Sequence, residues 1–272
     1  ALLDVDAAPQ ALKAFQAMLG QPGPQLAVGL DLLLQGLERF HAGRQVGLLV
    51  ALGIDRLLPS APLVVIVYLG LHSRFGRLAD AEGADMLLAS AKETAQIGKR
   101  LGVQRLNLHG TGLGDQGLPI QQMAHVAPGM WLRARDTLHR ICDLAEELDV
   151  TFTLENLNPI DHPGCPFGST EAVLSLVSAV NRPQLRINLD LYHTQIGEGD
   201  LIRWCQACLP WIGEVQVADN PGRCEPGTGE INYHGVAKAL KAMGYSGPVG
   251  LESFAQGDAE AALTAFRAAF TV

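Results

Sequence analysis

From residue 63 onward, short runs of aliphatic and β-branched residues alternate with longer stretches whose apolar positions recur every three to four residues. The short runs predict strands at 63–69, 103–109, 150–155, 185–190, 212–218 and 248–252. The longer stretches predict helices near 84–101, 131–148, 170–180, 200–209, 233–243 and 258–270. The strand runs read as apolar almost throughout, the pattern of strands covered on both faces. The punctuation agrees: Ser169 or Thr170 can cap a helix whose first turn holds Glu171, and Gly244 follows the helix that ends near Met243. Strands and helices in strict alternation give a parallel sheet wrapped by helices.

The first 62 residues are dominated by Leu, Ala and Gly, so the two periodicities blur there. The parse that fits best is a helix at 7–19, a strand at 25–30, a helix at 32–41 and a strand at 45–52. These two early strands bring the count to eight. The expected architecture is therefore an α/β (β/α)8 TIM barrel, a single domain over residues 1–272 with an atypical N-terminal quarter.

Composition sharpens this picture by exclusion. With 48% hydrophobic and 18% charged residues, the chain has ample side chain for a large core and lacks the charge excess of a disordered protein. The net charge of -8, with Lys and Arg scattered, offers no footprint for a nucleic acid. The most apolar stretch, 46–71, is divided by Asp55, Arg56, Pro59 and Pro62, so no membrane span and no signal peptide are expected. Five cysteines, an odd number in a chain too long to need stapling, point to free thiols and a cytoplasmic location.

The chemistry lies at the strand ends. Four successive predicted strands end in or near an oxygen-bearing side chain: Glu155, Asp190, Gln216 and Glu252. In a parallel barrel such residues converge on one mouth, where active sites of this fold lie. Three carboxylates facing one another need protons or a cation, and an all-oxygen set suits magnesium or manganese better than zinc. The competing reading is that these acids cap the following helices or form rim salt bridges.

The segments TLENLNPIDHPG (153–164), LRINLDLYHTQIGEGDL (185–201), GEVQVADNPGRCEPGTGEINY (213–233) and GYSGPVGLES (244–253) resemble the hydroxypyruvate isomerase-like branch of the xylose isomerase-like, or sugar phosphate isomerase/epimerase, TIM-barrel superfamily. The resemblance implies that Glu155, Asp190, Gln216 and Glu252 hold one divalent metal ion, magnesium, manganese or cobalt before zinc. It also implies that Glu155 and Glu252 form the acid/base pair, and that Asp161, His193 and Arg223 contact substrate. Gln216, where many epimerase relatives carry His, leans toward the hydroxypyruvate isomerase side, whereas the run from His109 to Gly112 departs from a close hydroxypyruvate isomerase. The implied reaction interconverts a small hydroxy-ketone and hydroxy-aldehyde through an enediolate. The alternatives are a ketose 3-epimerase or a non-catalytic sugar-binding barrel, with a homo-oligomer compatible with either.

Each polar residue also has a plainer role open to it. Arg223 can pair with Glu225 or Glu230 at the rim, His193 can cap the next helix, and Asp161 can belong to an ordinary turn with His162 and Pro163. Two further motifs are discounted. The GxGxxG spelled by Gly112, Gly114 and Gly117 is not followed by a clear helix, as a dinucleotide site requires. Cys205 and Cys208 fall inside a helical pattern instead of opening a helix after a strand. His109, at a strand end, is a minor candidate for the pocket lining.

Overall fold

A computed structural model of the chain describes residues 47–54, 63–70, 77–101, 103–114, 118–120 and 122–272. The expected helices at 7–19 and 32–41 and the expected strand at 25–30 lie outside the described residues. Seven described strands form a closed barrel in sequence order: β1 (Gly47–Ile54), β2 (Leu63–Gly70), β3 (Arg105–Leu108), β4 (Thr151–Glu155), β5 (Leu185–Asp190), β6 (Ile212–Val217) and β7 (Val249–Leu251). Strands β2 to β7 run parallel, and β1 closes the ring against β2 and β7.

The direction of β1 corrects the expectation of a parallel strand at 45–52: it is antiparallel to both neighbours, with Gly47 opposite Gly70 and Ile54 opposite Leu63. The cause is connection length. A parallel return needs a crossover of roughly a dozen residues or more, and only residues 55–62 join β1 to β2.

Helices α1 (Ala81–Leu101), α2 (Pro128–Leu148), α3 (Thr170–Val180), α4 (Leu191–Gly197), α5 (Leu201–Cys208), α6 (Tyr233–Ala242) and α7 (Ala259–Phe270) follow in order. Local chemistry sets their ends. The Ser169 hydroxyl accepts from Ala172 N at 3.1 Å, capping α3, and Gly244 lies just past α6 at φ +80°, where a side chain would be strained. The short α4 was not expected, because Asp190, the last residue of β5, also serves as its N-cap. No described helix is long and apolar enough to cross a membrane.

Strands β3 to β6 are two-faced. Leu106, Leu108, Phe152, Leu154, Leu185, Ile187, Leu189, Val215 and Val217 point outward into one core shared with Leu138, Ile141, Val173, Leu176, Val236 and Phe266 of the helices. The alternating positions are polar. Thr153 of β4 donates to Glu214 Oε1 of β6 at 3.1 Å, and since these strands are not neighbours the bond crosses the barrel interior. The reading of the strands as apolar almost throughout and covered on both faces is thus corrected for β3 to β6: one face carries Arg105 and Asn107, Thr151, Thr153 and Glu155, Arg186, Asn188 and Asp190, and Glu214 and Gln216. This polar interior leads upward to the C-terminal mouth.

Candidate active site

The period of two in each strand turns Glu155, Asp190 and Gln216 to the inner face near the strand ends, with Glu155 paired to Asn188 in the β4/β5 register and Asp190 to Gln216 in the β5/β6 register. Glu252 follows one residue after β7, its backbone N–H donating to Val217 O at 3.0 Å. The Gln216 amide end lies 2.9 Å from Glu252 Oε2 and 3.3 Å from Glu155 Oε1. With its nitrogen turned inward it donates to both carboxylates and its oxygen accepts from Asn188 Nδ2 at 3.3 Å; with its oxygen inward, oxygens alone face one another, an arrangement that a cation stabilises. The acids are therefore not merely rim residues. Asp190 does both things at once: Oδ1 caps α4 by accepting from His193 N at 3.1 Å, and Oδ2 faces the mouth, 3.8 Å from His193 Nε2.

Two histidines enclose Glu155. His109 Nε2 lies 2.9 Å from Glu155 Oε2, which also accepts from Asn107 Nδ2, and His193 Nε2 lies 4.0 Å from Glu155 Oε1. One carboxylate oxygen each of Glu155 and Asp190 and a ring nitrogen of His193 all fall within 4.8 Å of one another. His193 thus reaches the cluster that the sequence assigned to oxygen ligands alone.

The electrostatics are those of a desolvated anionic pocket. Burial, reinforced by the charge of Glu252, pushes the Glu155 carboxyl up to about 8, and the same causes in the same order raise Asp190 well above the carboxylate range. Burial lowers His109 to about 4 and moves His193 in the same direction. Neither imidazole supplies a balancing charge. Burial opposes the charge of Arg223, but Glu252, Asp190 and Glu155 outweigh it and hold the guanidinium protonated. Fully ionised, three carboxylates against one guanidinium would leave two negative charges over; protons on Glu155 and Asp190 relieve this in the metal-free protein, and one divalent cation relieves it with the acids ionised. The donor set fits such an ion.

Arg223 pairs with Glu252 Oε1 at 2.9 Å, not with Glu225 or Glu230 as the local alternative had it. Those acids are engaged elsewhere: Glu225 Oε2 accepts from Gln256 N, and Glu230 Oε1 accepts from Gln195 and Asn220. The guanidinium also lies over the Tyr192 ring, 5.0 Å from its centroid, and its Nε has no hydrogen-bond partner among the described residues. Arg223 sits at φ +52°, a left-handed backbone held by the loop around it. Asp219 fixes that loop by accepting from the N–H groups of Asn220, Gly227 and Ile231 at 2.7 to 3.0 Å. Gly229 is required there, since a Cβ would meet Asn220 O at 2.3 Å.

Asp161 lies at the edge of the pocket, where its Oδ2 accepts from Tyr192 OH and Asn158 Nδ2, each at 2.9 Å. Asn158 also contacts His193 Nδ1 at 2.7 Å, and Asn156 bonds both the N–H and the carbonyl of Asp190. Sequence reasoning missed Asn107, Asn156, Asn158, Asn188 and Tyr192. The signal for Asn107 and Asn188 was their spacing of two from strand-end residues.

The discounted motifs stay apart from this site. The segment after Gly114 opens no helix among the described residues before Pro128. Cys205 and Cys208 are buried within α5, where burial pushes both thiols up to about 12, and all five cysteines are unpaired.

Residues 61–269 match the family described as xylose isomerase-like TIM barrel. Hydroxypyruvate isomerase of Escherichia coli is 37% identical over 128 residues, 47% of this chain and 50% of that protein. The 2-oxo-tetronate isomerase of Cupriavidus necator is 31% identical over 139 residues, 49% and 54% of the two chains. The chain thus spans about half the length of the curated relatives it matches. Among solved structures, an AP endonuclease of family 2 from Brucella melitensis superposes with a TM-score of 0.59 at 27% identity, over 69% of each chain. The IOLI protein, crystallised with a zinc atom, gives 0.59 at 23% identity over 74% and 73%.

Proposed function

The chain belongs to the xylose isomerase-like TIM-barrel family, and from that premise we propose that it is a metal-dependent isomerase of a small hydroxy-carbonyl acid, of the hydroxypyruvate or 2-oxo-tetronate type. The observation that carries this reading is the convergence of Glu155, Asp190, Gln216 and Glu252 on one buried mouth, where a single guanidinium faces three carboxyl groups. Those four side chains are the proposed ligands of one divalent cation, which when bound supplies Lewis-acid stabilisation of negative charge on substrate oxygens.

The chain's own groups account for the rest. In isomerising hydroxypyruvate, a proton leaves C3 and one returns to C2, giving the hydroxy-aldehyde through an enediolate. Glu155 and Glu252, approaching from β4 and β7 across the mouth, are the acid/base candidates. Glu155 is held by Asn107 and His109, and Glu252 by Arg223, so neither carboxylate swings freely. Arg223 Nε offers a donor to a substrate carboxylate, with the guanidinium plane held by Tyr192. Asp161 lies at the entrance and supports Tyr192.

The test is incubation of the magnesium-loaded protein with hydroxypyruvate in deuterium oxide, followed by proton and carbon NMR. Migration of the carbonyl with deuterium appearing at C2 is expected. Deuterium exchange without carbonyl migration overturns the isomerase reading in favour of an epimerase, and binding without exchange leaves a non-catalytic barrel.

A further inference from the structure

Asn158, in the loop after β4, is 2% exposed, and its side chain makes a complete set of bonds that fix its orientation. Oδ1 accepts from two backbone donors, Ile160 N at 2.9 Å and Asp161 N at 2.8 Å. The nitrogen must therefore face the other way, where it donates to Asp161 Oδ2 at 2.9 Å. Rotating the amide would set its N–H groups against two N–H donors and its oxygen against a carboxylate, so the orientation follows from three independent partners. The second N–H of the same nitrogen points at His193 Nδ1, 2.7 Å away. A donor at that distance requires a lone pair on Nδ1. The imidazole is then neutral, and its proton sits on Nε2.

His193 Nε2 is the atom that faces Glu155 Oε1 and Asp190 Oδ2. A histidine that binds a metal through one nitrogen keeps a lone pair there and gives the proton on its other nitrogen to an acceptor. Asn158 imposes the opposite arrangement. The ring is also clamped edge to face between His162 and Tyr192, at 5.1 Å and 5.2 Å between centroids, which opposes a half-turn exchanging the nitrogens.

We propose that Asn158 is a positioning residue that locks His193 as its Nε2–H tautomer, keeping the imidazole out of the cation's ligand set and presenting it as a hydrogen-bond donor to a substrate oxygen. The donor role rests on the isomerase reading above, whereas the tautomer does not. The lock explains how His193 can lie at ligand-like distance from two acids without competing with Gln216 for the ion. It also identifies Asp161 as part of the lock, through the bond it accepts from the same amide.

The test is long-range proton–nitrogen NMR on the full chain labelled with 15N-histidine, metal-free and loaded with magnesium or zinc, with His193 assigned by loss of its signals in His193→Gln. A pyrrole-type Nε2 and a pyridine-type Nδ1, unmoved in kind by either metal, are expected. Protonated Nδ1 in the native protein, or a metal-ligated shift on Nε2, overturns the proposal. In Asn158→Asp the carboxylate accepts instead of donating, so Nδ1 should gain a proton; retention of the native tautomer in that variant overturns the role of Asn158. The native spectrum decides the tautomer even where the variant fails to fold. With hydroxypyruvate as substrate, Asn158→Asp should lower kcat on the order of 10²-fold while KM moves far less. Absence of turnover by the native protein counts against the isomerase reading and leaves the spectroscopic result standing.

Discussion

Glu155→Gln removes one buried ionisable group while keeping the shape of the side chain, so its effect on folding is set by the direction in which burial moves that carboxyl. Burial and Glu252 raise it from an ordinary 4.5 to about 8. Because the folded value lies above the unfolded one, the group's contribution to stability is complete below 4.5 and is lost as pH climbs through 8. At ~1.4 kcal/mol per pH unit, the metal-free protein gives up roughly 5 kcal/mol over that interval on account of Glu155, on the order of 10 °C in melting temperature for a chain of this size. Asp190 moves in the same direction and adds its own share. A divalent cation reverses the sign, since it binds the deprotonated carboxylates and stabilises the fold more as pH rises. Thermal melting from about pH 6.5 to about pH 8.5, above the range in which the buried neutral His109 and His193 make stability rise with pH, reads both slopes in chelator and in excess magnesium. The metal-free native protein should lose stability with rising pH, and Glu155→Gln should remove most of the part due to Glu155. A melting temperature that rises with pH in chelator, or identical slopes for the two proteins, refutes the reasoning.

Other substitutions separate the remaining parts of the account. Gln216→Leu keeps the bulk and removes the amide, and should weaken cation binding at least about tenfold in a calorimetric titration. Arg223→Lys loses the Nε donor and the planar fork over Tyr192, so KM for a carboxylate-bearing substrate should rise about tenfold in steady-state assays. Phe152→Ala empties a fully buried position on the outer face of β4 and should cost ~3–5 kcal/mol in urea unfolding, against about 1 kcal/mol for loss of the α3 cap in Ser169→Ala.

Much of this arrangement was legible in the chain itself. From residue 63 on, strands and helices announce themselves because the outward strand faces are so apolar and the helix ends carry ordinary caps such as Ser169. The same strength of signal hid the inner face. Asn107, Thr153, Asn188 and Glu214 sit every second residue inside apolar runs, and their partners lie on other strands, adjacent for Asn107 and Asn188 and across the barrel for Thr153 and Glu214. The direction of β1 was also written in the sequence, as a connection too short for a parallel crossover. The partners of the site residues were not, because they are set by tertiary contact: Arg223 passes over the nearby Glu225 and Glu230 for Glu252, and Asn158 reaches His193, 35 positions away. His193 illustrates the limit best. Its position after Asp190 suggested a cap or a substrate contact, yet the proton arrangement proposed for it is set by Asn158, a residue that carried no signal of its own in the sequence.

Four side chains from strands distant in sequence are proposed to hold one divalent ion at the barrel mouth. Anomalous diffraction at the manganese edge, from crystals of the full chain grown with that metal, tests it most directly. One strong peak bounded by oxygens of Glu155, Asp190, Gln216 and Glu252 is expected, with His193 Nε2 outside bonding distance. A peak elsewhere, a peak ligated by His193, or an empty mouth in the presence of excess manganese contradicts it.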